Sequence, residues 1–261
     1  MPGERALPAW VNSLRARAHF EDTANRPLLL ADWKRAVFLH YEVDPAVLQK
    51  CVPYDLDLLD GRAYVSFVAF TLERMRPAAA PKLEWLFRPF SPCAFLNLRT
   101  YVERDGERGI YFLNEWLSRA LSIPLGPISF GLPYRAATLE YDHDLERSAI
   151  SGRVTAAGKS GRLVYATTLK PGQEFGPSNA GSRDEFLLER YTAFTAWRGF
   201  HRFFRVWHEP WRQTPVEAVI PDASLLYSMG EWAGDARFVG AHFSPGARGV
   251  WMGSPERLSR N

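Results

Sequence analysis

The stretch FLNLRTYVERDGERGIYFLNEW, residues 95–116, decides the fold class. Two runs rich in aromatic and β-branched residues flank Asp105-Gly106, a dipeptide that favours the tight turn of a β-hairpin. Two further hairpins are predicted, one around Asp60-Gly61 and one around the turn at residues 158–161. The sequence therefore predicts an α+β protein that is dominated by antiparallel strands.

Outside the hairpins, short helices alternate with more strands. Residues 33–43 (WKRAVFLHYEV) are typical of a strand, and Asp44-Pro45 then supplies an N-cap and a first residue for a helix over 45–51. A longer helix is predicted over 184–197, where apolar residues recur at helical spacing. The remaining predicted elements are strands at 128–141, 201–208, 215–220, 236–243 and 248–252, helices at 10–20, 117–127 and 222–229, and a Pro-rich loop at 77–92.

The chain shows no internal repeat, low-complexity tract or clear linker, which indicates a single domain. We predict an N-terminal extension with a short helix (residues 1–29), one domain (residues 30–252) and a C-terminal tail (residues 253–261). The 261 residues are enough to bury a sizeable core.

The composition argues against several classes of function. The net charge is only +3, and the arginines are spread among 29 acidic residues, so a nucleic-acid partner is not expected. No apolar run approaches the ~20 residues of a membrane-spanning helix, and no secretory leader is expected. Cys51 and Cys93 stand alone, without the spacing of a metal site. We expect a cytoplasmic protein with no membrane partner and no metal.

Three short motifs have structural explanations. Gly158-Lys159-Ser160 resembles part of a phosphate-binding loop, but a strand follows it where that loop needs a helix, so a hairpin tip is expected. Asp142-His143-Asp144 is expected to be a solvated turn. His201 and His208 are too far apart in a strand to share one metal ion, and His208 between two tryptophans is expected to be structural.

The segment Asn97–Glu103 is more informative. In a strand, alternate side chains share a face, so Arg99 and Tyr101 lie on one side with Asn97. That polar face lies either in solvent or in a wet cavity. Glu115, near the end of the paired strand, lies either at the edge of such a cavity or at the start of the next helix.

An ordered set of short motifs resembles the YqjF-like family of uncharacterised bacterial proteins, which is grouped with the acetoacetate decarboxylase-like superfamily. The resemblance covers about residues 30–252. It implies a strongly curved antiparallel sheet that forms a cone-like β-barrel around a central cavity, with a few outer helices. The motifs are Leu39-His40, Asp60-Gly61, Arg99-Thr100-Tyr101-Val102, Gly109-Ile110-Tyr111-Phe112, Leu132-Pro133-Tyr134, Glu189-Arg190-Tyr191 and His208-Glu209-Pro210-Trp211.

The resemblance also argues against the decarboxylase reaction. Residues 131–135 (GLPYR) match that enzyme's Gly-aromatic-Pro-Lys-Lys motif, in which the first lysine forms a Schiff base with the substrate. Tyr134 stands in the place of that lysine and Arg135 in the place of its neighbour. A phenol cannot form an imine, so Schiff-base decarboxylation is not expected.

The predicted site combines five residues. Arg99 would hold a carboxylate, Tyr101 and Tyr134 would donate hydrogen bonds, Glu115 would act as a base, and Arg135 would contact the ligand. The resemblance thus implies binding of a small organic acid, with lyase or hydratase chemistry on a keto acid and no cofactor. Two alternatives stay open: a non-catalytic ligand-binding or structural scaffold, and an interaction protein that uses exposed aromatic residues. Edge strands of an open cone would allow a homodimer.

Overall fold

The computed structural model describes residues 9–22, 26–119, 121–145, 149–158, 161–170 and 172–258. The strands in this part of the chain are β1 (Leu29–Val43), β2 (Asp55–Leu56), β3 (Ala63–Pro77), β4 (Cys93–Arg104), β5 (Glu107–Leu117), β6 (Tyr134–Asp142), β7 (Ala149–Ala156), β8 (Arg162–Thr168), β9 (Thr192–Trp197), β10 (Phe200–Trp207), β11 (Thr214–Asp222), β12 (Arg237–Met252) and β13 (Glu256–Arg257). The α-helices are α1 (Ala9–Glu21), α2 (Pro45–Gln49), α3 (Ser122–Ser129), α4 (Arg183–Leu188) and α5 (Ser224–Tyr227), and two 3₁₀ helices span Pro81–Phe87 and Glu231–Ala233.

Local turn and capping signals in the sequence predict their elements correctly. The β4–β5 hairpin turns at Asp105 and Gly106, whose φ angles of 52° and 78° are the left-handed pair that this tight turn requires. Helix α2 begins after Asp44, whose side chain accepts the backbone N–H of Ala46 at 2.7 Å. The turn between β7 and β8 is also at the predicted place, although Lys159 and Ser160 lie outside the described residues.

The predicted helix over 184–197 is wrong in its second half. Helix α4 ends at Leu188, and residues Thr192–Trp197 form strand β9. The apolar spacing is helical, but Thr192 and Thr195 are β-branched and the segment pairs with β10 along its whole length. Hairpin pairing across the two-residue turn Arg198-Gly199 therefore overrides the helical period of the apolar residues.

Smaller differences concern element lengths. The predicted loop at 77–92 contains a 3₁₀ helix, and the two strands predicted at 236–243 and 248–252 are one continuous strand, β12. The helix predicted over 222–229 is limited to the four residues of α5.

The thirteen described strands form one hydrogen-bonded sheet that closes on itself twice. One ring contains nine strands in the order β5-β6-β7-β8-β11-β12-β1-β3-β4, and β4 pairs back to β5. A second ring contains seven strands, β10-β9-β5-β4-β3-β1-β12, and β12 pairs back to β10. The pairs are antiparallel except β5–β6 and β5–β9. The predicted sheet-dominated α+β class is confirmed.

The shared strands carry a separate core on each face. Along β1, Val37 and Leu39 belong to the core of the nine-strand ring, whereas Ala36 and Phe38 belong to that of the seven-strand ring. The first core includes residues of β7 and β8, and the second includes residues of β9, β10 and α4. Because the strands separate two buried spaces, both sets of alternating residues are apolar.

The ends of the described chain pack on the seven-strand ring. Ser13 of α1 donates a hydrogen bond to the carbonyl of His208 at 2.7 Å, and Phe20 packs edge-on against Trp251. Strand β13 pairs with β10. Within the described ranges, no helix is long and apolar enough to cross a membrane.

Candidate functional site

A cavity of about 370 Å³ lies inside the seven-strand ring. Its walls come from β1, β3, β4, β5, β9 and β10, with α3 and the first 3₁₀ helix beside them. Ten of its lining residues are Phe, Tyr or Trp, and another ten are Leu, Val, Ile, Ala or Met. The few polar side chains are therefore the candidates for chemistry.

Three of these polar residues form a row across neighbouring strands. Asn97 of β4 lies directly opposite Glu115 of β5, and Glu115 lies opposite Tyr134 of β6. All three line the cavity. Arg99, two residues further along β4, points to the same side and also lines the cavity. The structure thus brings together Arg99, Glu115 and Tyr134, which are three of the five predicted site residues.

A β-bulge turns Glu115 into the cavity. Phe112 pairs with Arg99 and Asn114 pairs with Leu98, so Leu113 is the extra residue. Strict alternation from Phe112 would direct Asn114 into the cavity, whereas Asn114 contacts Met229 on the opposite face of the sheet. The bulge therefore decides which of the two polar residues reaches the site.

The carboxyl group of Glu115 is buried in an apolar environment. The residue is 5% exposed, and its Oε2 has no hydrogen-bond partner. Burial raises the pKa of Glu115 well above its ordinary value of 4.5, because the charged form loses its hydration. A carboxyl with a raised pKa in a cavity is suited to moving a proton near neutral pH.

Helix α3 and strand β4 hold the Tyr134 ring in place. Gly126 of α3 lies so close that a Cβ atom there would be 2.3 Å from the ring, and Phe95 packs against it at 5.9 Å between ring centres. Burial raises the pKa of Tyr134 well above 10.0, and the nearby Glu115 raises it further. Tyr134 is therefore a neutral phenol, which can donate a hydrogen bond.

Arg99 is a buried cation that makes no salt bridge within 4 Å in the part of the chain that the structure describes, although the buried Glu189 carboxyl is near enough to interact with it electrostatically. Arg99 is 7% exposed, its Nη2 donates to the carbonyl of Leu187 at 2.9 Å, and its Nε has no partner. Arg190 lines the same cavity but is ion-paired: its Nη1 donates to Asp57 at 2.6 Å, a carboxylate that also pairs with Arg108, while its Nη2 has no partner. The two guanidinium groups therefore differ in what they can offer an anion.

The other two predicted site residues lie elsewhere. Tyr101 is fully buried outside the cavity lining, and its hydroxyl contacts Ser66 Oγ at 2.6 Å and donates to the Leu187 carbonyl at 2.8 Å. Arg135 is exposed, because alternation along β6 points it away from Tyr134 and out of the ring. The structure therefore places Tyr101 under α4 and Arg135 at the surface, apart from Glu115 and Tyr134, and ligand binding by these two residues stays a prediction.

Two further residues, Arg190 and His208, line the cavity without having been predicted there. Arg190 falls in the segment that was predicted as a long helix, so its inward direction could not be inferred. His208, predicted to be structural, also lines the cavity. Its Nδ1 donates to the carbonyl of Glu209 at 2.7 Å, and burial lowers its pKa to about 4. The flanking tryptophans were the only signal, and they indicate packing equally well.

His143 is not the solvated residue that its acidic neighbours suggested. It is buried, with Nδ1 bonded to the carbonyl of Arg35 at 2.8 Å and Nε2 to the Tyr165 hydroxyl at 2.7 Å. Both ring nitrogens are occupied, so the role is structural. Over the described ranges, no group of three or more His, Cys, Asp or Glu side chains could hold a metal ion.

A family model of an uncharacterized conserved protein, DUF2071, matches residues 30–248. The chain belongs to this family. The DUF2071 chain is also 29% identical over 190 residues to the uncharacterized protein YqjF of Bacillus subtilis strain 168, covering 72% of this chain and 76% of YqjF. The predicted resemblance to the YqjF-like family is confirmed.

Solved structures with the same fold include acetoacetate decarboxylases. An acetoacetate decarboxylase-like enzyme from Sphingomonas wittichii RW1 has a TM-score of 0.61 at 16% identity, covering 90% of this chain and 94% of that one. The acetoacetate decarboxylase of Legionella pneumophila has a TM-score of 0.59 at 13% identity, covering 99% and 92%. The enduracididine biosynthesis enzyme MppR complexed with pyruvate has a TM-score of 0.59 at 13% identity, covering 89% and 91%. At these identities the likeness shows the fold alone.

Proposed function

We propose that this DUF2071 protein binds a small carboxylate-bearing organic molecule in the cavity of the seven-strand ring, with Arg99 as the counter-ion. The observation that carries the proposal is the buried Arg99 guanidinium, which makes no salt bridge within 4 Å among the described residues and keeps Nε free. A buried charge costs several kcal/mol unless an opposite charge compensates it. A ligand carboxylate would supply that charge and accept the free N–H.

The reaction that this arrangement supports best is proton transfer next to a carbonyl group, of the kind that lyases and hydratases use. With the carboxylate at Arg99, Tyr134 donates a hydrogen bond to the ligand carbonyl oxygen. Glu115, in its ionised form, accepts the proton from the adjacent carbon and returns it afterwards. The residues of the chain supply every charge and proton in this step, so no cofactor is part of the proposal.

The structural relatives support a keto acid as the ligand, through the fold only. One of them is complexed with pyruvate and others are acetoacetate decarboxylases. The Schiff-base route of the decarboxylase is not proposed, because none of the four described lysines (Lys34, Lys50, Lys82 and Lys170) lines the cavity. Tyr134 in the lysine's place supports hydrogen bonding to the substrate instead.

Three further features belong to the same proposal. The two closed rings support a cone-like barrel around the cavity. The unpaired Cys51 and Cys93 support a reducing compartment such as the cytoplasm. The sheet ends at β2 and β13, which are two residues long each, so a homodimer would use side chains more than strand pairing.

Binding is tested by calorimetric titration with 2-oxobutanoate and 2-oxooctanoate, and with their primary amides, which lack the charge. Arg99→Met should weaken acid binding by at least tenfold and leave amide binding unchanged. Arg99→Lys keeps the charge and should retain part of the affinity. Arg135→Met is the matched control, since Arg135 is exposed and one residue from Tyr134. Equal acid binding by Arg99→Met and Arg135→Met would contradict the proposal.

Catalysis is tested separately by proton exchange at carbon 3 of 2-oxooctanoate in D₂O, followed by NMR. The wild-type protein should accelerate the exchange, with a rate that rises with pH as Glu115 ionises. Glu115→Gln should abolish the acceleration and keep the affinity. If the wild-type protein binds the acid but does not accelerate its proton exchange, the second candidate function, a non-catalytic binding protein, is favoured. The lack of a described lysine in the cavity also supports this second candidate.

A further inference from the structure

The cavity has a polar end and an apolar end. Along β4, Arg99 lies toward helix α4, whose last carbonyls accept hydrogen bonds from the two guanidinium groups: Leu187 from Arg99 and Phe186 from Arg190. In the opposite direction along the same strand comes Phe95, whose ring stacks on Phe70 at 5.6 Å. A ligand that reaches from one end to the other must therefore change from polar to apolar along its length.

The size of the cavity exceeds that of a short keto acid. A volume of about 370 Å³ is roughly twelve times the ~30 Å³ share of one water molecule in the liquid. A carboxylate and a neighbouring carbonyl would occupy only the part near Arg99, Glu115 and Tyr134. The remaining wall consists mainly of rings and aliphatic groups such as Val68, Phe70 and Val206, where water finds few hydrogen-bond partners. Its polar members are Ser122, Ser129, Thr192 and His208, together with the unpaired Nε1 of Trp33.

The apolar lining continues to the protein surface at helix α3. Leu125 lines the cavity and is also 49% exposed, so the cavity opens beside it. Ile128 of the same helix is 63% exposed. In the 3₁₀ helix Pro81–Phe87, Phe87 lines the cavity while Trp85 is 59% exposed. Large apolar side chains therefore form both the inner wall and the outer rim of this end.

We propose that the ligand is an amphipathic monocarboxylic acid, with its carboxylate at Arg99 and a long alkyl or arylalkyl tail that extends along the apolar wall toward Leu125. The inference rests on the proposed function for its carboxylate half. Its tail half rests on the volume, the aromatic walls and the exposed rim, none of which a short acid would require. Two carboxylates would not fit, because the apolar end offers no second cation along its wall in the described part of the chain.

The test is a chain-length series measured by calorimetry below micellar concentrations: butanoate, hexanoate, octanoate and decanoate, with the corresponding alcohols as neutral partners. Each added methylene that is buried should tighten acid binding about fourfold, as expected from its transfer out of water. The alcohols should follow the same slope but bind at least tenfold more weakly. Arg99→Met should lower the affinity for each acid to that for the corresponding alcohol.

The outcomes separate the two proposals. Arg99-dependent binding of all four acids with no effect of chain length would overturn the amphipathic ligand and leave the proposed function standing. If acids and alcohols bind equally and Arg99→Met changes neither affinity, carboxylate binding at Arg99 is wrong, and the proposed function with it. If affinity still rises with chain length in that case, the apolar binding site for the tail is retained. Absence of binding by every member would overturn both.

A pair of surface variants locates the tail. Leu125→Ser should weaken decanoate at least threefold and leave butanoate unchanged, because only the longer tail reaches the rim. Leu14→Ser is the matched control: Leu14 is also a helical leucine, 52% exposed, on α1. If both variants bind decanoate like the wild-type protein, the tail does not extend toward α3 and the proposed orientation is wrong.

Discussion

At the scale of single residues, the site depends on one glycine. Gly126 leaves space for the Tyr134 ring, and an added Cβ would lie 2.3 Å from ring atoms. We expect Gly126→Ala to displace Tyr134 from the row with Glu115 and to lower the free energy of unfolding by about 1–3 kcal/mol through overpacking. Proton exchange into 2-oxooctanoate should fall in the same variant.

Gly176→Ala provides the control for this substitution. Nothing lies within 4 Å of a Cβ atom at Gly176, so the change should alter neither stability nor exchange. Urea denaturation and the NMR exchange assay measure both quantities. If Gly126→Ala behaves like Gly176→Ala, the Tyr134 ring is not held by contact with α3.

Glu189 gives the protein a pH-dependent stability. Its carboxyl group accepts hydrogen bonds from the Tyr191 hydroxyl at 2.5 Å and from the backbone N–H of Trp211 at 2.9 Å, yet burial raises its pKa to about 7. The folded protein therefore holds a proton that the unfolded chain, with a pKa near 4.5, releases. The free energy of unfolding should fall as pH rises from 4.5 to 7, by about 3 kcal/mol from this group.

Glu189→Gln should remove that slope, because the amide keeps an acceptor oxygen and does not titrate. The measurement is urea denaturation of both proteins at several pH values, with the difference between them taken at each pH. The contributions of other buried groups to the pH dependence are the same in both proteins and cancel in the difference. These groups include Glu115, whose pKa is raised, and His208, whose lowered pKa has its effect below pH 6.5. A difference that is independent of pH would contradict a raised pKa for Glu189.

At the scale of elements, helix α4 is fixed to the sheet by a chain of buried hydrogen bonds. Ser66 Oγ is the centre of this chain, at 2.7 Å from His40 Nδ1 and 2.6 Å from the Tyr101 hydroxyl, which donates to the carbonyl of Leu187 in α4. His40 Nε2 continues to His242 at 3.0 Å. Burial and the neighbouring His242 and Arg99 charges lower the pKa of His40 well below 6.5, so its ring is neutral.

We expect Ser66→Ala to lower the free energy of unfolding by about 1–3 kcal/mol, because it leaves the buried His40 Nδ1 without a hydrogen bond and removes one of the two hydrogen bonds of the Tyr101 hydroxyl. The α4 amides should also exchange faster with D₂O, as the Leu187 anchor loosens. Ser151→Ala, at an exposed strand position, is the control and should have little effect. Equal stability of the two variants would show that the chain does not hold α4.

The sequence predicts those elements whose signals are local. Asp60-Gly61, Asp105-Gly106 and Asp44-Pro45 determine their turns and cap through backbone conformation within a few residues. The hairpin predicted around Asp60-Gly61 is nevertheless wrong: its turn closes only the single bridge Leu59–Arg62, because β2 pairs with β4 instead of β3. The helical spacing of the apolar residues in β9 outweighed the turn signal at Gly199, which joins β9 directly to β10. The other partner of β9, the parallel strand β5, lies far away in the sequence. The bulge at Leu113 has no local signature, so the inward direction of Glu115 depended on the pairing of β4 with β5.

At the scale of the whole molecule, five strands are shared between two closed rings: β12, β1, β3, β4 and β5. Alternation in these strands therefore sorts residues between two cores, and a one-residue slip in β4 would exchange Asn97 and Arg99 for Leu98 and Thr100. This explains which parts of the site could be predicted. Strand parity placed Arg99 correctly, but it could not tell that Tyr101, on the same face, lies beyond the cavity under α4.

The central claim is that a carboxylate binds at Arg99 inside the seven-strand ring, with the apolar part of the ligand directed toward α3. The most direct test is a crystal structure of the wild-type protein with octanoate bound. We expect carboxylate density within hydrogen-bond distance of Arg99 Nε and a tail that runs along Phe95 and Phe70 toward Leu125. Octanoate in the reverse orientation, bound outside the ring, or absent from a cavity that side chains fill would contradict it.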